Sequence, residues 1–361
     1  MRNIWKLFWL VLAYYFAAGS TEADGRDMVL SEIADYVRQT TENLGGGPWA
    51  VIVRKDDQVI LEEYGAGKHE GTVDAESLWP LYSVTKSVAV GAILALENKG
   101  TVSLDDPVSK YLGAFKTKGD GEGDRRDVTI RHLASNTGGV SISREKYVPA
   151  QDKPPDMAFV QVDTPPGEVF EYSALGVHIL QNTIEAATGE PFEKTLSVLV
   201  FEPLGLSSAR YLAAHNSELP IIPVRKAEKV ADRYYYAQNG LACNSGIYMT
   251  ATDLNRYGQV WLDSGQPGLF SEQLRDQAWK NYSRPDEGIG YGLMWWTIED
   301  SGGYVMAGWG GQVTAVVPKV GVVLTVLRNS YDHPNHGPSF KYSDDKKHLV
   351  ELCRRLGSAS K

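Results

Sequence analysis

From Val88 to Leu96 the chain reads VAVGAILAL, with apolar residues on every face that a helix presents. A helix without a polar side cannot lie on a surface, so this segment must run through the middle of a packed domain, and the remaining elements must surround it. Pro80 suits the approach to a helix start, where no amide partner is required. Gly100 supplies the left-handed residue that ends helices. The spacing predicts a helix that opens near Ser83 and closes at Lys99. Ser83 and Lys86, three apart, then share one face. A hydroxyl in the first turn sits among unpaired amides at the positive end of the dipole, which suits a nucleophile whose reaction makes an oxyanion. The S-x-x-K pattern also occurs at Ser143, Ser343 and Ser358, and a first-turn serine is ordinarily a cap. Ser83 differs in the apolar helix behind it, because a lysine at the mouth of a buried helix is not free to float in water.

The 361 residues are 43% hydrophobic, enough for one large domain or two intimate ones. A net charge of −9 without a basic stripe argues against nucleic acid as a partner. Residues 1–24 read as a secretory signal: Arg2 and Lys6 precede an apolar run from Leu7 to Ala18 and small residues at Ala17–Ser20, with an uncleaved anchor as the alternative. The expected location is therefore secreted or periplasmic. Cys243 and Cys353 can pair in an oxidising compartment, but two separate buried thiols are the expectation.

Helical periodicity covers 27–43, and strand-like runs at 48–54 and 58–64 flank Lys55-Asp56-Asp57, a hairpin signal. The middle of the chain reads as helices and loops: a short helix from Asp105 to Tyr111, then 128–134, 173–188 closed by Gly189, and 191–200. Strand or turn character returns at 241–250. A helix from Thr252 to about Ser264 follows, then strand-like runs at 291–298, 304–307, 312–318 and 321–327, and a terminal helix at 344–356. The fold class is α/β of the α+β kind: residues 27–104 and 240–361 supply an antiparallel sheet flanked by helices, and 105–239 form a mainly helical insertion.

Five blocks in order give the chain a family resemblance. They are Ser83-Val84-Thr85-Lys86, Val128-Thr129-Ile130-Arg131-His132-Leu133, Pro165-Pro166-Gly167-Glu168-Val169-Phe170-Glu171-Tyr172-Ser173, Glu202-Pro203-Leu204-Gly205-Leu206 and Gly308-Trp309-Gly310-Gly311-Gln312. Together they resemble the serine β-lactamase and penicillin-binding superfamily, especially its class C-like hydrolases and esterases. The resemblance implies the β-lactamase/transpeptidase-like fold and a reaction through an acyl-enzyme without cofactor or metal. It casts Ser83 as nucleophile, Lys86 as its base and Tyr172 as the group that passes the proton on. The backbone amides of Ser83 and Gln312 would form the oxyanion hole. Tyr82, Trp309, Gly310 and Gly311 would meet the substrate.

Two positions depart from the family pattern. Ala174 stands where Y-x-N carries asparagine, and Trp309 falls where lactamases carry the lysine of Lys-Thr-Gly. Loss of that cation, which would pair with a carboxylate, points to a small neutral ester or amide, unless another group such as Arg328 replaces it. The alternatives are a β-lactamase or peptidoglycan D,D-peptidase, and a catalytically silent binding protein that keeps the cleft. Trp295 and Trp296 are further candidates for an acyl pocket. His178 reads as a packed core residue, and His333 and His336 do not make a convincing metal pair because Pro334 separates them.

Overall fold

Along the sheet strands the side chains alternate between two buried faces, the period-2 pattern of a pleated strand. In β1 (Trp49–Lys55), Ala50 and Ile52 join one core and Val51 and Val53 the other. The structure, a computed structural model, describes residues 25–142, 156–212, 219–222, 242–262, 269–329 and 341–359. The leader expected over 1–24 lies outside the described residues, as do His333 and His336.

The order of elements begins with α1 (25–43), β1, β2 (Gln58–Gly65), β3 (Trp79–Pro80) and α2 (Val84–Asn98). Next come α3 (Ile130–Ala134), β4 (Val140–Ser141), β5 (Gln161–Val162), α4 (Ala174–Thr188), α5 (Phe192–Leu196), α6 (Glu202–Leu204) and β6 (Arg210–Tyr211). The last part holds β7 (Ile247–Met249), α7 (Ala251–Leu262), α8 (Glu272–Trp279), β8 (Ser283–Asp286), β9 (Ile289–Tyr291), β10 (Trp296–Ile298), β11 (Gly303–Gly308), β12 (Gln312–Val317), β13 (Val322–Arg328) and α9 (Tyr342–Ser358).

The main sheet has the order β2-β1-β13-β12-β11-β10-β9-β8, and every neighbouring pair is antiparallel. Strands from the two ends of the chain pair one strand in from the β2 edge, where Trp49 faces Arg328 and Lys55 faces Val322. One face is covered by α1 and α9, the other by α2, α7 and the helices between. A smaller sheet, β3-β7-β6, holds the approach to α2, and the Leu81 N–H donates to the Ile247 carbonyl at 2.9 Å. As the sequence requires, α2 is central: every residue from Val84 to Leu96 is buried, Lys86 included.

Several local expectations shift. The run 291–298 is two strands, because residues 292–295 turn between them and Met294 takes a left-handed φ of 56°. The helix expected at 191–200 passes from α5 into a π-helical stretch, Ser197–Phe201. Of the helix expected from Asp105, a single 3-10 turn forms, Val108–Lys110. Helix α8 and strand β8 were not anticipated; both are short and polar, and β8 carries a proline. Cys243 and Cys353 are free and buried, in separate cores on opposite faces of the sheet. Trp295 is fully buried against Trp261 and Trp279, so it belongs to the core rather than to a pocket. His178 is likewise buried, beside Asn182 on its own helix.

Candidate active site

Ser83 is the N-cap residue of α2, yet its side chain caps nothing. The hydroxyl accepts a hydrogen bond from Lys86 Nζ at 2.9 Å instead. The preceding residue, Tyr82, takes a left-handed φ of 47°, uncommon for an aromatic side chain, and this sharp turn sets the serine at the mouth of the helix.

Lys86 is 3% exposed. Besides Ser83 its ammonium reaches the Asn244 carbonyl, at 2.9 Å. Burial disfavours the charged form and lowers its pKa to about 7, and Cys243 opposes this slightly. Burial also pushes the Cys243 thiol up to about 12, so that neighbour is uncharged near neutrality.

Tyr172 arrives from the loop ahead of α4. Its ring centroid lies 5.2 Å from Lys86 Nζ. One side of the ring is open, with 44% of the residue exposed, while protein packed around the hydroxyl raises its pKa; the nearby Ser83 hydroxyl works in the opposite direction. The ring stacks on Trp296 at 6.0 Å and meets Tyr291 edge-on at 6.2 Å. Of the two candidate tryptophans, Trp296 is the one that reaches this cleft.

Asn136 holds Tyr172 in place. The Asn136 carbonyl accepts from the Glu171 N–H at 2.8 Å and its side-chain Oδ1 accepts from the Ser173 N–H at 3.0 Å, so one residue clamps the backbone on both sides of the tyrosine. Asn136 has φ 55°, a conformation asparagine tolerates better than most residues. The sequence marks Asn136 only as the end of a helix. The signal that it does more is its left-handed turn, which frees both oxygens to point at one segment.

The fourth wall is the turn between β11 and β12. A Cβ on Gly308 would stand 2.6 Å from the Leu81 carbonyl oxygen, so only glycine lets the turn approach the start of α2 this closely. Gly310 and Gly311 both have φ 88°, and the Trp309 ring sits edge-on to Tyr82 at 5.1 Å. Gln312 is fully buried and its side chain is structural: Oε1 accepts from the Arg328 N–H and Nε2 donates to the Arg328 carbonyl, both at 2.9 Å. Gln312 also pairs with Gly308 across the two strands, so these residues bracket the turn that carries Trp309.

Arg328 does not replace the missing cation. It is fully buried and bonds the Asp345 carboxylate at 3.2 Å. Ala174 opens α4 on an exposed position and brings no amide to the cleft. Next to the Asn244 carbonyl that Lys86 bonds, two buried oxygens, Asn244 Oδ1 and Ser245 Oγ, have no partner among the described residues, the kind of group a bound substrate satisfies.

No helix among the described residues is long and apolar enough to cross a membrane. The esterase EstB of Burkholderia gladioli is 24% identical over 305 residues, covering 70% of this chain and 76% of that protein. The D-alanyl-D-alanine-carboxypeptidase/endopeptidase AmpH of Escherichia coli K12 is 23% identical over 68% of this chain, which spans 64% of its length, a little under two thirds. Among solved structures, EstCE1, described as a hydrolase with promiscuous acyltransferase activity, superposes with a TM-score of 0.72 at 17% identity, over 92% of this chain and 99% of that one. The family model described as Beta-lactamase matches residues 33–341, and the chain belongs to that family.

Proposed function

We propose that this protein is a serine hydrolase that cleaves a small ester or amide through an acyl-enzyme on Ser83. The observation that carries the reading is the 2.9 Å contact between Ser83 Oγ and a buried Lys86 whose pKa is lowered to about 7. Near neutral pH a large share of this lysine is an uncharged amine, and the contact then reverses: the serine donates and the amine accepts. Ser83 Oγ attacks the carbonyl as its proton passes to Lys86. The oxyanion meets the Ser83 amide at the start of α2 and the amide we assign to Gln312. Tyr172, whose ring lies beside Lys86 and whose hydroxyl feels Ser83, relays the proton to the leaving oxygen or nitrogen, the bond from the acyl carbon to that leaving group breaks, and water repeats the sequence to release the acid. Trp309 gives the cleft an apolar wall where a cation is absent, which supports a substrate uncharged at that point. EstB, named as an esterase, supports ester cleavage, and AmpH, named as a carboxypeptidase and endopeptidase, supports the amide alternative. The apolar leader supports export to a secreted or periplasmic location.

The test is covalent labelling by a fluorophosphonate, with Ser83→Ala as control, alongside rates on short p-nitrophenyl esters and a chromogenic cephalosporin. Ser83-dependent labelling and ester turnover well above cephalosporin turnover are expected. An unlabelled, well-folded wild type sinks the hydrolase reading in favour of a silent binding protein. Cephalosporin hydrolysis rivalling that of the esters sinks the esterase assignment.

A further inference from the structure

Among the described residues, Lys346 is, with Lys86, a buried lysine that no carboxylate contact compensates. It belongs to the S-x-x-K pattern that starts at Ser343, but it does not bond that serine. It lies near the start of α9, 4% exposed, and makes no hydrogen bond or ion pair among the described residues. Two rings hold it: Nζ stands 4.6 Å from the Trp296 centroid and 5.9 Å from that of Tyr342. Both rings are parts of the cleft. Trp296 stacks on Tyr172, and the Tyr342 hydroxyl accepts from the Gly310 N–H at 3.2 Å, in the turn that carries Trp309. Lys346 is therefore one ring away from the tyrosine wall on one side and from the glycine turn on the other.

The carboxylates nearest in its electrostatic field are not partners. Asp345 is committed to Arg328 and to the Tyr36 hydroxyl, and Asp286, on β8, acts on Lys346 without an ion pair among the described residues. Burial lowers the Lys346 pKa to about 8, with Asp345 and Asp286 opposing, so a substantial cationic fraction is retained at neutral pH. Ring faces attract a cation but leave its N–H donors unmatched. An ammonium in this state strongly favours an incoming anion with oxygen acceptors.

We propose that Lys346 is a substrate-binding residue that receives a carboxylate at the end of the substrate remote from the scissile bond, so that the preferred substrates are esters or amides that also bear an acid group. The proposal rests on the hydrolase reading and narrows it. The cation lost at position 309 is supplied from the terminal helix, displaced toward Trp296, while the group beside Trp309 stays uncharged.

The probes are p-nitrophenyl half-esters of straight-chain C4–C8 diacids, each compared with its methyl-capped counterpart. Wild type is expected to prefer the free acid in kcat/KM at one or two chain lengths. In Lys346→Met that preference ratio should fall at least tenfold, and Lys346→Arg should restore part of it. On wild type alone, the methyl half-esters of the same diacids should compete with turnover better than the dimethyl esters. No acid preference at any length, or equal losses on both substrates in Lys346→Met, overturns the proposal. Failure of the hydrolase reading looks different, since it gives neither turnover nor Ser83-dependent labelling.

Discussion

Replacing Lys86 by methionine separates what the buried amine does for chemistry from what it costs the fold. The side chain is 3% exposed, and burial takes its pKa from 10.5 to about 7. In the unfolded chain the amine holds its proton up to about pH 10, whereas in the folded protein it does so only below about 7. Between those values the unfolded state binds more protons, so stability rises with pH. Below pH 7 the whole penalty is present, and at ~1.4 kcal/mol per pKa unit it amounts to roughly 5 kcal/mol as an upper value. Methionine is similar in length, carries no charge, and forfeits the bonds to Ser83 and Asn244, worth about 1 kcal/mol each. A net gain of a few kcal/mol remains at pH 6. For a chain of this size that is a rise of several degrees in Tm. The gap should close at about pH 9 and reverse by pH 10, because wild type is relieved of the proton while the variant still lacks the two bonds.

Turnover moves in the opposite direction. With neutral Lys86 as the base, kcat/KM on an uncharged p-nitrophenyl ester rises about tenfold per pH unit below 7 and levels above it. Lys86→Met should lose at least ~1000-fold. Circular-dichroism melts at pH 6, 8 and 10 and initial rates from pH 5.5 to 9 read both consequences. A variant that melts below wild type at pH 6, or a Tm gap independent of pH, refutes the claim that the lysine is destabilised by burial.

Three other substitutions probe the supports of the site. Asn136→Ala removes the side-chain half of the clamp on Tyr172, so kcat should drop about tenfold or more while KM changes little, because ~1 Å of misplacement is costly in proton transfer; an unchanged kcat in a folded variant removes the clamp from the argument. Gly308→Ala places a methyl 2.6 Å from the Leu81 carbonyl oxygen, so the turn and the start of α2 must part; loss of fluorophosphonate labelling at retained fold is expected, and wild-type labelling contradicts it. Arg328→Met leaves Asp345 buried and unpaired and should cost ~3–5 kcal/mol by urea denaturation, most of it returned in Arg328→Met/Asp345→Leu; a double variant as weak as the single one argues against a charge effect.

The parts of this protein that were legible in the sequence are those where one physical rule dominates. An all-apolar helix has a single place to go, and α2 lies there, with Ser83 and Lys86 at its mouth. The β1, β12 and β13 strands follow their hydrophobic runs to within a residue or two. Where two demands compete, the reading misses. Residues 291–298 look like one strand, but the chain must reverse at Met294, whose N–H donates to the Ala134 carbonyl at 2.9 Å. Arg328 reads as a spare cation because the sequence places it near the turn; its partner Asp345 is 17 residues away on α9. Asn136 and Lys346 were passed over for the same reason, since their roles depend on residues that only the fold brings near.

What surrounds Lys86 bears directly on the base role proposed for it. Ser83, Tyr172, the Asn244 carbonyl and Cys243 are all uncharged near neutrality, and no ion pair to Lys86 exists among the described residues. Electroneutrality is thus a requirement of that role, and Cys243 is the position at which to break it, since its thiol is fully buried and, among the described residues, is the ionisable neighbour that bears on Lys86. Cys243→Asp introduces a carboxylate there. An opposite charge within a few ångströms favours the ammonium and typically moves such a pKa by 1–3 units. The acid limb of kcat/KM should therefore shift upward from about 7 by at least one unit, with the plateau recovered at alkaline pH and Cys243→Ser as the neutral control. A limb that stays in place in a variant with a cooperative thermal transition means that the limb does not report Lys86.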